Sequence, residues 1–294
     1  MYLDLFITGI TIGAIYGLIA LSLSLIYSGL DMVHFAQGEL AMLGAFIALT
    51  FVTNSGLPYF VALGAGAVVV AILAVLIERI VYRPLSSKGG GMTVAGFSLI
   101  AAGVGMSVFL QNAAWLIWKP FPQSFPVDFG DSIQIGQGSY SRLYFIILIC
   151  AVVIMVSLNL FLKKTKWGRA MQAVAHNREL AYLMGINVPL VLSGTFGIAA
   201  LISGFAGGLI GSVNFVEWHM GMLLILKGFT AAVIGGLGSL PGAIVGGLLL
   251  GVIESMAGGL LSSTYRDVIS FALLIAVLYV RPEGLFSTRV VEKA

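Results

Sequence analysis

LFITGITIGAIYGLIALSLSLIY, the stretch from Leu5 to Tyr27, contains no charged side chain and decides the fold class of this chain. A helix needs about 20 apolar residues to cross the hydrocarbon core of a bilayer, and this stretch supplies them. Asp4 precedes it where a secretion signal would carry basic residues, and it is longer than the apolar part of such a signal. We therefore expect it to be retained as the first membrane-spanning helix.

The rest of the chain repeats this pattern. Of its 294 residues, 59% are hydrophobic and 9% are charged, whereas soluble domains carry about 25% charged residues. Further apolar segments lie at 36–54, 58–82, 93–118, 143–162, 190–213, 222–238, 241–260 and 267–281. Lipid offers no hydrogen-bond partner to the backbone, so these segments must be helical, and the alternation of barrel strands is absent. The predicted fold is all-α: a polytopic transmembrane helical bundle of about eight to ten spans with broken or re-entrant helices, forming one domain over residues 1–294.

Charge placement indicates how the bundle is oriented. Most basic residues lie in three stretches: Arg79 to Lys88, Lys163 to Arg178, and Arg281 to Lys293. Such loops remain cytoplasmic. The stretch 119–142 is rich in proline and glycine and is predicted to be an irregular extracytoplasmic loop.

The stretch 28–35 does not fit this orientation. It should be cytoplasmic if every segment crosses, yet it contains no Lys or Arg. The chain either makes an exception there or breaks inside the membrane, so the side of the N-terminus stays open.

Glycines follow two patterns. Gly9, Gly13 and Gly17 are four residues apart and so share one helix face, and the spacing recurs at 204 and 208, 207 and 211, 242 and 246, and 247 and 251. Small residues at this interval let helix backbones approach closely. In contrast, the run from Gly235 to Gly242, with Pro241 inside it, must interrupt a helix.

A matching interruption is predicted at His34 to Glu39. Paired interruptions in two halves of a membrane protein indicate a transport route, although the second could be a tight turn between two crossings. The predicted route residues are Gln37, Glu39, Thr230, Gly235, Gly238 and Ser239.

Three charged residues lie in or near apolar segments: Glu39, Lys227 and Glu254. Each costs roughly 2.5–3.5 kcal/mol at a helix centre on insertion scales. They are either a polar lining or gate, or a structural ion pair or positions near the lipid headgroups.

Signatures of an enzyme are missing. No Gly-Lys-[Ser/Thr] follows the glycine run, so ATP binding by this chain is not expected. The histidines are not spaced as metal ligands, and no nucleophile–base or paired-carboxylate arrangement is evident. We predict no cofactor, no metal and no catalysis.

Two further features are uninformative about function. No basic face of the chain suits nucleic acid, and the lone Cys150 is expected to be a buried side chain.

The polar stretch after Lys163 has the features of a helix. Helix-forming residues dominate 169–184, and Gly185 suits a C-terminal cap. Its apolar residues are predicted to form one stripe, while Arg169, Arg178 and Glu179 remain in water. The stripe comprises Met171, Val174, Leu180, Leu183 and Met184. An amphipathic helix lying on the headgroups is the alternative.

Motifs along almost the whole chain resemble one family. They are HFAQGE at 34–39, ERIVYRPL at 78–85, the stretch 168–185, KGFTAAVIGGLG at 227–238 with Pro241-Gly242, and RPEGLF at 281–286. In order and content they are similar to permease subunits of bacterial ABC importers for branched-chain (hydrophobic) amino acids.

The resemblance implies a multi-pass protein of the bacterial inner membrane that contacts lipid and moves amino acids. It implies three kinds of protein partner: a second, homologous permease, two cytoplasmic ATP-binding subunits and a periplasmic substrate-binding protein. It also places the ATPase-coupling loop and helix at about 163–188, with Arg169, Ala173, Glu179 and Gly185 at or near the contact.

Other functions stay open at this stage. Relatives of that family carry urea or short amides. A stand-alone secondary transporter or channel would need coupling carboxylates or a gating sensor, and carboxylates are scarce here. A purely structural subunit of an assembly is a further alternative.

Overall fold

Helices form at every apolar segment predicted above, to within a few residues at each end. A computed structural model describes residues 2–87, 92–135, 138–262 and 264–286. Lys88 and Lys293, which bound two of the predicted basic stretches, lie outside the described residues. The helices are α1 (Tyr2–Leu30), α2 (Gln37–Ser55), α3 (Tyr59–Ile77), α4 (Arg83–Ser87), α5 (Met92–Trp118), α6 (Arg142–Lys164), α7 (Lys166–His176), α8 (Arg178–Leu183), α9 (Val188–Val213), α10 (Met220–Gly235), α11 (Leu240–Leu260) and α12 (Tyr265–Val280).

The all-α membrane bundle is confirmed, with fewer full-length spans than the eight to ten expected. Within the described ranges, seven helices are long and apolar enough to cross a membrane. The shortfall lies at α10 and α12, which have 16 residues each. At 1.5 Å per residue such a helix is about 24 Å long, less than the roughly 30 Å hydrocarbon core.

One end of the bundle gathers most of the basic residues, and we call it the basic end. There α1 ends, α9 begins and α10 turns into α11, with Gly238 against the ring of Tyr27. The segment after α12 returns to the same place, since Leu285 N–H donates to the carbonyl of Ile234 at 2.9 Å. The C-terminal ends of α3 and α6 also lie here.

The opposite end holds the N-terminus of α1 and the C-terminal ends of α2, α9 and α11. Ser255 Oγ donates to the carbonyl of Leu5 at 2.6 Å, and Tyr140 donates to the Asp4 carboxylate. That bond raises the pKa of Tyr140. The predicted irregular loop covers this end and carries a short antiparallel pair, β1 (Ile133–Ile135) and β2 (Gly138–Tyr140).

Spaced glycines bring the backbones of α1 and α11 together, as predicted. A Cβ on Gly251 would lie 2.3 Å from Gly13 Cα, and one on Gly247 would lie 2.3 Å from Gly17 Cα. Some glycines of the other predicted pairs also lie on a neighbouring backbone, whereas Gly208 and Gly211 face the side chains of Leu63 and Val216. A Cβ on Gly207, one of the first group, would clash with the carbonyl of Ala41 on α2. Helices whose backbones touch gain dispersion contacts where lipid provides no hydrophobic drive.

Between α3 and α4 the helix widens into a π-helical turn, Glu78–Tyr82. The turn directly precedes Pro84, which has no backbone N–H and is poorly tolerated inside a regular helix. It buries both Glu78 and Tyr82. Glu78 accepts a 2.5 Å hydrogen bond from Ser193 Oγ of α9, which ties the basic ends of α3 and α9 together.

We expect Gly251→Ala to lower the apparent melting temperature of the purified chain. Overpacking against the Gly13 backbone costs about 1–3 kcal/mol, which exceeds the gain of up to about 1 kcal/mol that alanine brings to a helix. Gly64→Ala on α3 is the matched control, because no described atom lies within 4 Å of its Cβ. Thermal unfolding in detergent measures both, and equal midpoints would contradict the close α1–α11 contact.

Candidate functional site

The predicted coupling stretch is two short helices, α7 and α8, separated at Asn177. Thr165 caps α7 by accepting from Gly168 N–H at 2.9 Å, and Asn177 caps α8 by accepting from Leu180 N–H at 2.9 Å. Gly185 follows α8 with a φ of 81°, the left-handed conformation of the predicted helix cap. Caps at each boundary fix the directions of both helices.

The break at Asn177 overturns the predicted single apolar stripe. Met171 and Val174 of α7 point inward and are only 5% and 2% exposed, whereas Leu183 and Met184 are 74% and 80% exposed. Leu180 joins the exposed group. A change of direction between α7 and α8 places the two halves of the stripe on different surfaces.

Of the predicted coupling residues, Arg169, Glu179 and Gly185 are exposed, and Ala173 is half-buried. The structure thus leaves these positions on or near the surface of one segment at the basic end.

This segment is anchored to the spanning helices. α7 packs against α1, α6 and α9. Gly168 sits on the backbone of Leu162 at the end of α6, and the Trp167 ring lies beside Gly194 of α9. A displacement of α7 would therefore disturb its packing contacts with three long helices.

The second region lies inside the bundle, where α2 and α10 begin. Gly38 and Gly221, in the first turns of these helices, pack backbone to backbone. Neither helix has a side-chain cap bond at its N-terminus. The Glu39 carboxylate lies against Gly221 and is thus close to the first turns of both helices, where the helix dipole favours negative charge. Glu39 also accepts a 3.2 Å hydrogen bond from Ser107 of α5.

The predicted interruption at 34–39 is confirmed as the non-helical connection 31–36, followed by the start of α2. Asp31 at its start is exposed, but His34 within it and Gln37 at the start of α2 are buried, at 1% and 0% exposed. Both ring nitrogens of His34, both amide atoms of Gln37 and the hydroxyl of Tyr82 have no hydrogen-bond partner among the described residues. The His34 and Tyr82 ring centroids are 5.0 Å apart. Buried polar atoms without partners require water or another guest.

The third region is a buried ion cluster on the other side of α10. Lys227 Nζ lies 3.0 Å from Glu254 Oε2 of α11 and 2.7 Å from Asp267 Oδ1 of α12. Tyr16 of α1 donates to Glu254 at 3.3 Å, and Lys227 also reaches Ser270 at 3.1 Å. Lys227 and Glu254 thus form an ion pair, which is one of the interpretations that the sequence left open for these residues. Glu39 lies apart from it.

The predicted route residues fall into separate places. Gln37 and Glu39 lie at the interior start of α2, whereas Thr230 lies on α10 and donates to the carbonyl of Leu226 within its own helix. Gly235, Gly238 and Ser239 form the α10–α11 turn at the basic end, where Ser239 caps α11. The structure therefore does not bring the six together, and their role in transport stays a prediction.

Sequence reasoning missed several of these features. The gap between the predicted segments 190–213 and 222–238 was expected, but the start of α10 at Met220 inside the bundle was missed, because residues 214–219 contain no glycine or proline that would mark a break within the membrane. Asp267 was missed as a partner of Lys227 because it opens the predicted segment 267–281 and resembles an ordinary helix-start acid. Over the described residues, no group of three or more His, Cys, Asp or Glu side chains could hold a metal ion.

Taken together, the spanning bundle, the buried charges and the interior helix starts define a multi-pass membrane transport protein. A polar segment at the basic end, partly exposed and anchored to three spanning helices, completes this architecture.

The chain belongs to the family described as "Branched-chain amino acid transport system / permease component", whose model matches residues 5–278. It is the permease subunit of an ABC importer. It is 36% identical to the high-affinity branched-chain amino acid transport system permease protein BraD of Pseudomonas aeruginosa, over 99% of this chain and 98% of BraD. Its identity to the corresponding Escherichia coli protein LivH is 35%, over 99% and 97% of the two chains.

The fold is also similar to a solved structure, PsaBC from Streptococcus pneumoniae in complex with Fab. The TM-score is 0.53 with 15% identity, over 96% of this chain and 93% of that chain. At this identity the likeness concerns the fold alone.

Lys227→Met should lower the melting temperature sharply, because it leaves Glu254 buried without its counter-charge. Breaking a buried pair in this way costs about 3–5 kcal/mol. The double variant Lys227→Met with Glu254→Gln removes both charges and should recover part of the loss. Lys163→Met, at an exposed position of the basic end, is the control and should change little. A double variant no more stable than Lys227→Met would argue against a paired cluster.

Proposed function

We propose that this permease moves branched-chain or other hydrophobic amino acids across the bacterial inner membrane. Near full-length similarity to BraD and LivH supports this substrate class. In the proposed complex it pairs with a second, homologous permease. Two cytoplasmic ATPases bind beneath the pair, and a periplasmic binding protein delivers the amino acid. ATP hydrolysis takes place on the partners, and this chain does no chemistry.

The observation that carries the coupling role is the exposed apolar surface of α8. Leu180, Tyr182, Leu183 and Met184 are between 56% and 80% exposed, at an end rich in lysine and arginine. An apolar patch rimmed by charges is typical of a protein-binding surface. We propose that this surface, together with Arg169, Ala173, Glu179 and Gly185, docks into a cleft of the ATPase. By the positive-inside rule this end is cytoplasmic.

Coupling follows from how α7 is anchored. Closure of the ATPases would displace α7 and α8 as one capped unit. Because α7 packs on α1, α6 and α9, the displacement would shift the balance between outward-open and inward-open arrangements of the bundle. The nucleotide acts only through the difference in its affinity for these two states.

The α10–α11 turn is a second element that such a shift would move. The segment after α12 pairs with it, because the N–H of Phe286 donates to the carbonyl of Gly235 at 3.0 Å. A Cβ on Gly284 would lie 2.4 Å from Gly236 Cα, so the tail and the turn are fitted closely. Movement at the basic end thus reaches α10 and, through it, the interior helix start.

Leu183→Asp should weaken capture of the ATPase by the purified permease by about tenfold or more, because it would bury an unpaired charge in the contact. Phe121→Asp is the matched control: Phe121 is 70% exposed but lies in the loop at the opposite end. Co-purification from detergent-solubilised membranes measures the effect. Equal recovery of the ATPase with both variants would contradict docking through α8.

Proteoliposomes holding the complete complex should take up leucine, isoleucine and valine only with ATP and the binding protein. Replacing Arg169 and Glu179 together with alanine should reduce uptake while leaving the amount of inserted permease unchanged, because these residues would position the ATPase. Labelled urea is the comparison substrate. Uptake of urea without leucine, or leucine uptake by this chain alone, would refute the proposed function.

A further inference from the structure

Two connected cavities open toward the end opposite the basic end. The inner cavity has a volume of about 200 Å³ and reaches the Lys227 cluster. The outer cavity, of about 500 Å³, is lined by residues at the end of α9 and in the connection to α10. They share four wall residues: Asn214, Phe215, Met220 and Leu223. The two cavities therefore adjoin, and the inner one reaches the side chains of Lys227, Glu254 and Asp267.

The floor of the inner cavity is lined by charged groups. Its lining includes two carboxylates, Glu254 and Asp267, and one ammonium, Lys227. Arg266 lies outside the lining, against Gly258 of α11, with its positive charge near Tyr16 of the lining. The Asp267 side chain is 59% exposed, compared with 11% for Glu254, so Asp267 is the carboxylate that a molecule in the cavity can reach.

Apart from Asn214 and the Tyr16 hydroxyl, the walls of the inner cavity are apolar. The apolar wall residues are Ile210, Phe215, Met220, Leu223 and Leu224. A guest that fits carries a cationic group at one end and an aliphatic or aromatic group beside it. A metal cation does not match these walls, and an anion would face the two carboxylates.

We propose that the inner cavity binds the α-ammonium group of the transported amino acid at Asp267, with the hydrophobic side chain against the walls. The inference rests on the proposed function for its substrate class. The ammonium approaches the exposed side of the Asp267 carboxylate, whose partner inside the bundle is Lys227. Its charge-assisted hydrogen bond to Asp267 competes with the one from Lys227. This competition keeps binding weak, as release to the other side of the membrane requires.

Protection of a cysteine in the cavity wall tests the proposal directly. Cys150 is first replaced with alanine, and Phe215→Cys places a thiol on the shared wall. Right-side-out membrane vesicles holding the complete complex are treated with a charged methanethiosulfonate reagent, without ATP or binding protein. Phe121→Cys, exposed at the same end but outside both cavities, is the matched control.

Leucine should slow modification of Phe215→Cys by about tenfold at saturation and leave Phe121→Cys unaffected. Isopentylamine keeps the ammonium without the carboxylate and should protect as well. The related acid, 4-methylpentanoate, lacks the ammonium and should not protect. Equal protection by the acid, protection at both thiols, or none at Phe215→Cys would overturn the proposal; the last result would fit a wall covered by lipid or by the second permease.

Asp267→Asn separates ligand binding from a structural role. Losing one charged hydrogen bond should raise the leucine concentration for half-protection by about tenfold, and Asp267→Glu should restore it. An unchanged half-protection concentration in Asp267→Asn would overturn the assignment. The proposed function is judged separately, by uptake in proteoliposomes. Uptake of leucine without protection refutes only the cavity, and protection without uptake refutes only the function.

Discussion

The structure depends on one constraint, which is that lipid accepts no hydrogen bond from the backbone. Long helices satisfy it over most of the chain. The exceptions are informative, because every place where a helix begins or ends inside the bundle must be surrounded by protein or water. The starts of α2 and α10 meet this condition together: Gly38 and Gly221 pack against each other, and the Glu39 carboxylate lies at the first turns of both helices. Two helices without side-chain caps thus share one buried acid.

The same constraint explains why the bundle can act as a set of rigid parts. Glycine contacts bring α1 against α11 and α2 against α9 at backbone distance, so these pairs cannot slide without breaking dispersion contacts along their length. The interior of α10 is different. Buried polar atoms lie on one side of its N-terminal half, and the cavity and ion cluster lie on the other. The α10 helix thus separates the buried Glu39 carboxylate from the Lys227 ion cluster.

The sequence predicted the helical class, the positions of the apolar segments, the glycine faces and the break at 34–39, because each follows from local composition or spacing. It separated the apolar segments 190–213 and 222–238, but it did not predict that the helix after this gap, α10, begins inside the bundle. It also predicted one continuous stripe over 171–184, whereas Asn177 divides that segment and separates Met171 from Leu183. Periodicity gives a helix face only if the helix is continuous, and a capping asparagine is easily read as an ordinary polar residue.

Contacts between residues far apart in the chain were the other feature that the sequence did not predict. The partners of Lys227 come from α11 and α12, Tyr16 of α1 donates to one of them, Glu254, and no spacing in the sequence connects these residues. An isolated charge in an apolar segment indicates that a partner exists without saying which one. The predicted route residues show the same difficulty: Gln37 and Gly238 are both plausible breaks, yet they lie in different parts of the bundle, one in its interior and one at the basic end.

The central claim is that α7 and α8 transmit the action of a soluble ATPase to the spanning helices. A photo-crosslinking amino acid at position 183, in the complete complex within native membranes, tests this claim most directly. The account predicts a crosslink to the ATP-binding subunit whose yield changes between the nucleotide-free and ATP-bound states. A crosslink to lipid alone, in both states, would show that α8 lies on the membrane surface and would contradict the account.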